Sequence, residues 1–237
     1  SDLFGMNAAG TDAKMRNTKE SILEAQFTPG AGNWCTWMFG RDLVNWNNNF
    51  TWAKWVTPSR DLISTFKQEG DEVRFKESVV YYDCGWSNYY PSDNYPFMYK
   101  CRSANSSIIK YRYADVLLLK AEALIMQDTP DLEGAADIID EVRDRAKLGA
   151  LSSSTRSNKD ALLNALLKER RLELAFEGQR WFDLVRLDKV EEVMNAVHAK
   201  DSGRKAQVYT YDKNSYRLPI PQSVIDANDK IHQNPGY

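Results

Sequence analysis

The sequence predicts a mainly α-helical fold, in which a tetratricopeptide-like helical hairpin and further helices pack against a loop-rich region with short strands. Two observations support this. Apolar residues recur at helical spacing through much of residues 105–237, whereas residues 1–104 are rich in Trp, Tyr, Asn and Gly and have few periodic segments. We therefore expect an aromatic region over 1–104 and a helical region over 105–237, together forming one compact unit that is a fragment of a longer protein.

The composition is that of an ordinary globular protein. The chain has 237 residues, 43% of them hydrophobic, and 31 basic against 33 acidic residues give a formal net charge of −2. This balance disfavours a nucleic-acid partner, which normally requires a basic surface. The longest aliphatic run, Val116–Leu119, is far shorter than the roughly 20 residues of a membrane-spanning helix.

Cysteine and histidine are both scarce. Cys35, Cys84 and Cys101 are odd in number, so either a single Cys84–Cys101 disulfide or buried free thiols fit the sequence. The two histidines, His198 and His232, make imidazole-rich metal sites and Ser-His catalysis hard to build. We therefore expect no catalytic residues, no metal site and no cofactor.

The aromatic region contains few regular elements. Residues Ser21–Phe27 are typical of a strand, and a helix is expected to begin just after Pro58 and to end at Gly70. Apolar and polar residues alternate over Val73–Val79, which predicts a second strand. Two prolines within 85–98 oppose regular structure, so we expect an irregular segment there.

The helical region begins with the predicted hairpin. A helix capped by Ser106 or Ser107 is expected to run to about Gln127, and a second helix covers Asp131–Leu148. The connection between them is short, and alanines on both helices permit a close approach. These features predict an αα-hairpin of the tetratricopeptide type, of which only one unit is visible.

Further helices follow the hairpin. Ser157 to Gly178 is expected to form one, with Arg170 on its apolar stripe, where a guanidinium must be paired because a lone buried charge costs several kcal/mol. Residues 179–186 and 188–199 predict two shorter helices, and 209–221 is expected to be extended because of its prolines.

Four segments stand out as sequence motifs: Lys110–Ala123 (KYRYADVLLLKAEA), Lys168–Arg186 (KERRLELAFEGQRWFDLVR), Tyr216–Pro221 (YRLPIP) and Gln233–Tyr237 (QNPGY). In this order they resemble the SusD/RagB family of outer-membrane nutrient-binding lipoproteins. Together they are similar to the C-terminal half of a family member. The opening residues carry no signal segment, and the resemblance implies a lipid anchor that is absent from this chain.

The resemblance implies a function. Family members hold oligosaccharides without catalysis at the extracellular face of the outer membrane and deliver them to a SusC-like TonB-dependent transporter. We therefore expect an oligosaccharide ligand and a SusC-like partner, with membrane attachment only through the lipid anchor.

The matched motifs themselves look structural. Within Lys168–Arg186, Trp181 is expected to lie in the core. The charged residues of this stretch are expected to form an ion network: Arg170, Arg171, Glu173, Glu177, Arg180 and Asp183. The motifs therefore indicate the family without indicating the ligand.

A sugar site needs aromatic faces beside hydrogen-bonding groups, because a pyranose offers a flat patch of C–H groups rimmed by hydroxyls. Residues 33–55 contain five tryptophans interleaved with Asn, Asp and Arg, and 83–95 repeats this composition with Trp and Tyr. The predicted ligand-binding residues are Trp34, Trp37, Trp46, Trp52, Trp86, Tyr89 and Tyr90. The alternative is that these rings are buried to stabilise a loop-rich region.

Other functions remain open at this point. The same scaffold could bind a peptide or another nutrient. A glycoside hydrolase would need two carboxylates at a defined separation, for which Asp42, Asp83 and Asp93 are candidates among the aromatic residues. A helical adaptor for proteins is disfavoured, because a single hairpin makes a poor solenoid.

Overall fold

A computed structural model describes residues 3–5, 7–8, 14–27, 57–83, 90–100, 106–201 and 210–237. Its helices are α1 Arg60–Glu69, α2 Glu72–Ser78, α3 Tyr113–Met126, α4 Leu132–Arg145, α5 Ser153–Arg156, α6 Lys159–Glu173, α7 Arg180–Arg186, α8 Val190–Asp201 and α9 Gln222–Asp226. Its strands are β1 Ser21–Ala25, β2 Val79–Tyr82, β3 Tyr95–Met98 and β4 Ile108–Arg112. The predicted mainly α fold class is confirmed. Among these residues, none of the helices has the length and apolar character needed to cross a membrane.

Contacts divide the chain into two compact units, Ser1–Gly178 and Gln179–Tyr237. The boundary at Gly178 lies inside the segment that resembles a family motif. The boundary near residue 105, which composition predicts, separates an aromatic region from a helical region by their chemistry. It stays a prediction.

The predicted αα-hairpin is confirmed as α3 and α4. Asp131 caps α4 by accepting a hydrogen bond from the backbone N–H of Gly134. The hairpin packs on α6 around a core in which alanines let the helices approach closely. That core consists of Leu118, Ala121, Ile125, Ala135, Ala136, Ile139, Val142, Leu162 and Leu166.

Helix α1 has the bounds that its sequence predicts. Ser59 accepts a hydrogen bond from the backbone N–H of Leu62, and Gly70 ends the helix with φ of +68°, a left-handed conformation that favours glycine. Phe66 of this helix is buried against Leu172, so α1 packs on the end of α6.

The strand predicted over Val73–Val79 is wrong, because Glu72–Ser78 is the helix α2 and the strand begins only at Val79. The side chain of Asp71 caps this helix at the backbone N–H of Arg74. Alternation was misleading because Arg74 counted as an outward polar position, whereas it points inward to buried carboxylates.

The irregular segment predicted over 85–98 is wrong at its end, where Tyr95–Met98 forms β3. This strand pairs with β2 in antiparallel register, with Pro96 opposite Tyr81 and Tyr95 opposite Tyr82. Both strands of a two-stranded sheet are edge strands. An edge strand tolerates Pro96 because one of its sides needs no backbone N–H donor for a neighbouring strand.

The first hairpin helix begins later than predicted. Ile108–Arg112 forms β4, which pairs antiparallel with β1, and α3 starts at Tyr113. The start of the third helix is also corrected: Asn158, not Ser157, provides the cap by accepting from the backbone N–H of Ala161. The strand β1, which pairs with β4, comes from a distant part of the sequence. The apolar spacing within 108–112 gives no sign of this pairing.

The second unit contains α7, α8 and α9. The side-chain amide of Asn195 clamps Tyr211 by donating to its carbonyl oxygen and accepting from its N–H, both at 2.9 Å. The extended segment predicted over 209–221 is wrong at Lys213–Tyr216, a 3₁₀ turn capped by Asp212. Local side-chain hydrogen bonds outweigh the extended preference there.

Candidate functional site

Most predicted ligand-binding residues lie outside the described residues. Trp34, Trp37, Trp46 and Trp52 fall in 28–56, and Trp86 and Tyr89 fall in 84–89. The three cysteines are also outside the described residues, so the question of a disulfide stays open. Tyr90 is the predicted site residue that the structure describes. What the structure adds is the geometry at the ends of these two segments.

Residues beside the first aromatic segment, 33–55, contact residues of the second, 83–95. The phenol of Tyr90 donates a hydrogen bond of 2.7 Å to the carbonyl oxygen of Pro58, shortly after 33–55. The hydroxyls of Thr57 and Tyr95 lie 2.5 Å apart in a second link. Thr57 and Pro58 therefore lie next to the end of the second segment.

The ring of Tyr90 is half-buried and has partners on two sides. Its neighbour Tyr95 packs edge-on with ring centroids 5.6 Å apart, and the guanidinium carbon of Arg60 lies 4.2 Å from the centre of the Tyr90 ring. These contacts fix the orientation of the ring. A ligand contact by Tyr90 stays a prediction, and any such contact would use ring surface that Arg60 and Tyr95 leave open.

A small aromatic cluster on β2 and β3 packs against Tyr90. Tyr95 and Phe97 are buried on β3 with ring centroids 4.9 Å apart, and Tyr82 of β2 packs edge-on against Phe97. Buried aromatic pairs of this kind stabilise by about 0.5–1.5 kcal/mol beyond their area. These contacts therefore stabilise the β2–β3 pair against which Tyr90 packs.

Charged residues form a second feature, the buried charge cluster. Its members come from five parts of the first unit: Arg74, Lys100, Arg112, Glu169, Glu173 and Glu177, with Arg145, which is 46% exposed, at its edge. Arg112 is its centre, because it donates to Glu173 at 2.6 Å, to Glu177 at 2.7 Å and to Glu20 at 2.7 Å. The side chain of Arg112 is only 2% exposed.

The other cations complete the cluster. Arg74 donates to Asp71 and Glu169, each at 2.5 Å, and Arg145 pairs with Glu173. Lys100 donates to the backbone carbonyl of Glu173 at 2.8 Å and to the carboxylate of Glu177 at 2.6 Å. Each buried carboxylate of the cluster therefore faces at least one cation, the condition under which charges are tolerated in an interior.

The ion network predicted for the motif residues is confirmed in its main members. Glu173 and Glu177 belong to the cluster, and Arg170 pairs with Asp115 at 2.9 Å. Arg171 pairs with Asp61 at 2.7 Å on α1. Sequence reasoning missed Arg74 and Lys100, whose glutamate partners lie 73 to 99 residues away and leave no local signal.

The electrostatics indicate a structural role for Glu173 and Glu177. Burial alone would raise the pKa of Glu173, but Arg112, Arg145 and Lys100 together hold that pKa well below its usual range. Burial would likewise raise the pKa of Glu177, and the charges of Lys100 and Arg112 lower it instead. A catalytic general acid needs a raised pKa, so these two ion-paired carboxylates are unsuited to that task.

A pocket of roughly 100 Å³ lies beside this cluster, lined in part by Phe4, Arg74 and Lys100. Pockets for ligands of drug size usually measure roughly 300–1,000 Å³. This one is too small for an oligosaccharide.

Trp181, expected in the core, is half-buried, with its ring 6.2 Å from that of Tyr211.

Stability is expected to fall in acid because of this cluster. The folded pKa values of Glu173 and Glu177 lie below the unfolded value of about 4.3, so their contribution is complete above that pH and is lost as pH falls through the folded values. Glu169, whose pKa burial raises, opposes them. Two lowered groups against one raised group predict a net loss.

Urea unfolding at pH 7, 5, 4 and 3 measures this loss. The free energy of unfolding should decline below about pH 4.5, and Glu173→Gln should lower it at pH 7 while flattening the acid decline. A profile that is flat between pH 5 and 3 would contradict the assignment of these pKa values.

The described residues form a mainly α-helical fold that contains a tetratricopeptide-like hairpin. Thr57 and Pro58, shortly after one Trp-rich segment, contact Tyr95 and Tyr90 of a second aromatic segment. Residues 93–237 match the sequence model of the SusD family, which is well over half of the chain. The chain therefore belongs to the SusD family.

Relatives agree with this assignment. The SusD-like protein P38 of Formosa agariphila is 41% identical over 139 residues, which cover 56% of this chain and 25% of P38. A SusD superfamily protein from Parabacteroides distasonis has a TM-score of 0.70 at 22% identity and covers 93% of this chain. Surface glycan-binding protein A from Bacteroides thetaiotaomicron, solved in complex with laminarihexaose, has a TM-score of 0.67 at 20% identity and covers 91%.

The relatives are longer than this chain. The chain spans about a quarter of P38 and about half of the two solved structures, 50% and 52% respectively. The structural likeness, at such low identity, defines the fold that the chain shares with them.

Proposed function

We propose that this chain takes part in non-catalytic binding of an oligosaccharide, with the two aromatic segments 33–55 and 83–95 contributing to one site. The observation that carries the proposal is the pair of links that bring Tyr90 onto Pro58 and Tyr95 onto Thr57. Membership of the SusD family supports it, as does the structural neighbour that was solved with laminarihexaose.

Binding would rest on stacking and on hydroxyl hydrogen bonds. The indoles of Trp34, Trp37, Trp46, Trp52 and Trp86 and the phenols of Tyr89 and Tyr90 supply aromatic faces for the C–H patch of a pyranose. Neighbouring Asn, Asp and Arg side chains supply partners for its hydroxyls, whose desolvation would otherwise be uncompensated.

The wider role follows from the family. We propose that the protein works at the extracellular face of the outer membrane, anchored by lipid, and passes its ligand to a SusC-like TonB-dependent transporter. This role needs reversible binding and no bond cleavage. Helix α1 and the β2–β3 pair would act as the frame that fixes the aromatic segments at their ends.

A glycan array that includes laminarihexaose tests the proposal, followed by calorimetric titration of the best ligand with alanine variants of each predicted tryptophan. Trp→Ala at a stacking position should weaken binding by about 1–3 kcal/mol, which is roughly 5- to 150-fold, with little change in melting temperature. Phe182→Ala is the matched control, because Phe182 is an aromatic residue with 64% exposure on α7, outside the predicted site.

Three results would change the proposal. Loss of melting temperature without loss of affinity in every Trp variant would place these rings in the core. Binding of peptides and of no glycan would favour the alternative nutrient class. Hydrolysis of a bound glycan that disappears in Asp→Asn variants at Asp42, Asp83 or Asp93 would indicate a glycoside hydrolase.

A further inference from the structure

Four buried side-chain atoms in the described part of the chain lack a hydrogen-bond partner. They are the Nη2 of Arg74, the Oγ of Ser78, the Oε2 of Glu24 and the Oγ of Ser107. Nearly all buried polar atoms in proteins are hydrogen-bonded, so an unpartnered one needs a physical explanation. Their positions supply one, because all four belong to residues that line two pockets with shared walls.

The larger pocket is the one of roughly 100 Å³ beside the buried charge cluster. Arg74 and Ser78 lie four positions apart on one face of α2 and line this pocket together, with only 9% and 0% exposure. The Nε and Nη1 of Arg74 already donate to Asp71 and Glu169. The Nη2 nitrogen is therefore the donor of this guanidinium that still needs an acceptor.

The smaller pocket measures roughly 20 Å³ and is lined by Glu24 of β1 and by Ser107, just before β4. One carboxylate oxygen of Glu24 accepts a hydrogen bond of 3.1 Å from the backbone N–H of Asn17. The other oxygen and the Ser107 hydroxyl are the two unpartnered atoms here. This pocket therefore needs a donor, whereas the larger one needs an acceptor.

Water is the molecule that satisfies both pockets. Each pocket exceeds the roughly 10–15 Å³ that one water molecule requires. The Nη2 of Arg74 can only donate and the carboxylate of Glu24 can only accept, and water does both. Each cation that lines the larger pocket already bonds a carboxylate, so an added ion would bring an uncompensated charge. A neutral occupant is therefore favoured.

One short segment, Leu3–Gly5, covers both pockets, and we call it the strap. Leu3 and Phe4 line the two pockets, and so does Lys100. The centre of the Phe4 ring lies 4.9 Å from the Nζ of Lys100 and 6.0 Å from the guanidinium carbon of Arg112. An aromatic face attracts cations at such distances, so Phe4 is held against the buried charge cluster.

We propose that the two pockets are internal water-binding sites of the buried charge cluster and that the strap shields them from bulk solvent. Water bound there supplies the hydrogen bonds that the protein leaves unmade at these four atoms. A backbone hydrogen bond of 2.8 Å from the N–H of Lys14 to the carbonyl oxygen of Gly5 holds the strap at its end. The proposal does not depend on the ligand of the aromatic segments.

A high-resolution crystal structure of the whole 237-residue chain tests the water sites. Ordered water is expected within about 3.2 Å of each of the four unpartnered atoms. An anion bound to Arg74, or protein groups that pair with these atoms directly, would overturn the assignment of water.

Acylation of lysines with acetic anhydride, followed by peptide mass spectrometry, tests the strap. Lys100 should react at least tenfold more slowly than Lys76, whose side chain is 74% exposed. Burial lowers the pKa of Lys100, so slow acylation would reflect lack of access and not a lack of neutral amine. Phe4→Ala should accelerate acylation of Lys100 at least tenfold and leave Lys76 unchanged, because it removes the ring that covers Lys100.

Two further variants keep this result interpretable. Leu23→Ala is the matched control, because Leu23 is an apolar residue of β1 that is 52% exposed and lines neither pocket, and it should leave Lys100 protected. Phe4→Leu keeps an apolar cover without the aromatic face, so a smaller acceleration is expected. It also decides the matter if Phe4→Ala fails to fold.

Three outcomes of the acylation experiment would overturn the role of the strap. They are equal rates for Lys100 and Lys76 in the unaltered chain, no acceleration at Lys100 in a folded Phe4 variant, and an acceleration by Leu23→Ala as large as that by the Phe4 variants. The last result would mean that Lys100 becomes accessible through general loosening of the first unit.

Discussion

Arg112→Ala is expected to destabilise the chain by about 3–5 kcal/mol, the cost of stranding buried carboxylates without their cation. The Arg112 guanidinium binds Glu173 and Glu177 in an interior where its side chain is 2% exposed. Water cannot replace the lost donors without opening the cluster. Urea unfolding at pH 7 measures the change.

The matched control is Lys76→Ala. Lys76 forms an ion pair with Glu72 at 3.7 Å, but the two side chains are 74% and 68% exposed. Solvent screens such a pair, and its loss should cost about 0–1 kcal/mol. Equal effects of the two variants would show that burial of the cluster contributes nothing to stability.

Leu118→Ala is expected to cost about 2–5 kcal/mol, because it leaves a cavity at the centre of the hairpin core. Leu118 is 0% exposed and contacts residues of α4 and α6 in one cluster. The neighbouring residue provides the control. Leu119 points to the opposite side and is 39% exposed, so Leu119→Ala should cost no more than about 1 kcal/mol.

Thermal unfolding followed by circular dichroism distinguishes the two leucines. A loss for Leu119→Ala as large as that for Leu118→Ala would mean that the outer face of α3 is already covered in the isolated chain. That result would count against the hairpin geometry.

Local signals predicted α1 and the start of α4 well. Ser59 and Gly70 bound α1, and Asp131 opens α4, because caps act through hydrogen bonds to neighbours within a turn. The motif similarity also indicated the family correctly, since the match over 93–237 includes all four quoted segments.

Long-range partners account for what sequence reasoning missed. Ile108–Arg112 has apolar spacing compatible with a helix, and it becomes a strand because β1 pairs with it from far along the chain. Arg74 broke the pattern of α2 for the same reason, since its carboxylate partner Glu169 lies 95 residues away. Neither partner can be identified from the flanking sequence.

The candidate site was predictable in its composition and not in its geometry. Aromatic and amide content selected the two segments, but nothing in the sequence joined Tyr90 to Pro58 across 32 residues. Tyr90 was predicted as a site residue because it lies among Asn and Asp side chains, and the contact with Arg60 shows that packing also determines its place.

The buried charge cluster has a consequence for inheritance. Exchanging the whole set for apolar side chains of similar volume can be neutral or stabilising, yet each single replacement leaves an opposite charge stranded. Substitutions arise one at a time, so a lineage can lose Arg112 or Glu173 only through a protein that is destabilised by one unpaired buried charge. Descendants of this gene are therefore expected to retain the pair long after their surfaces have drifted apart.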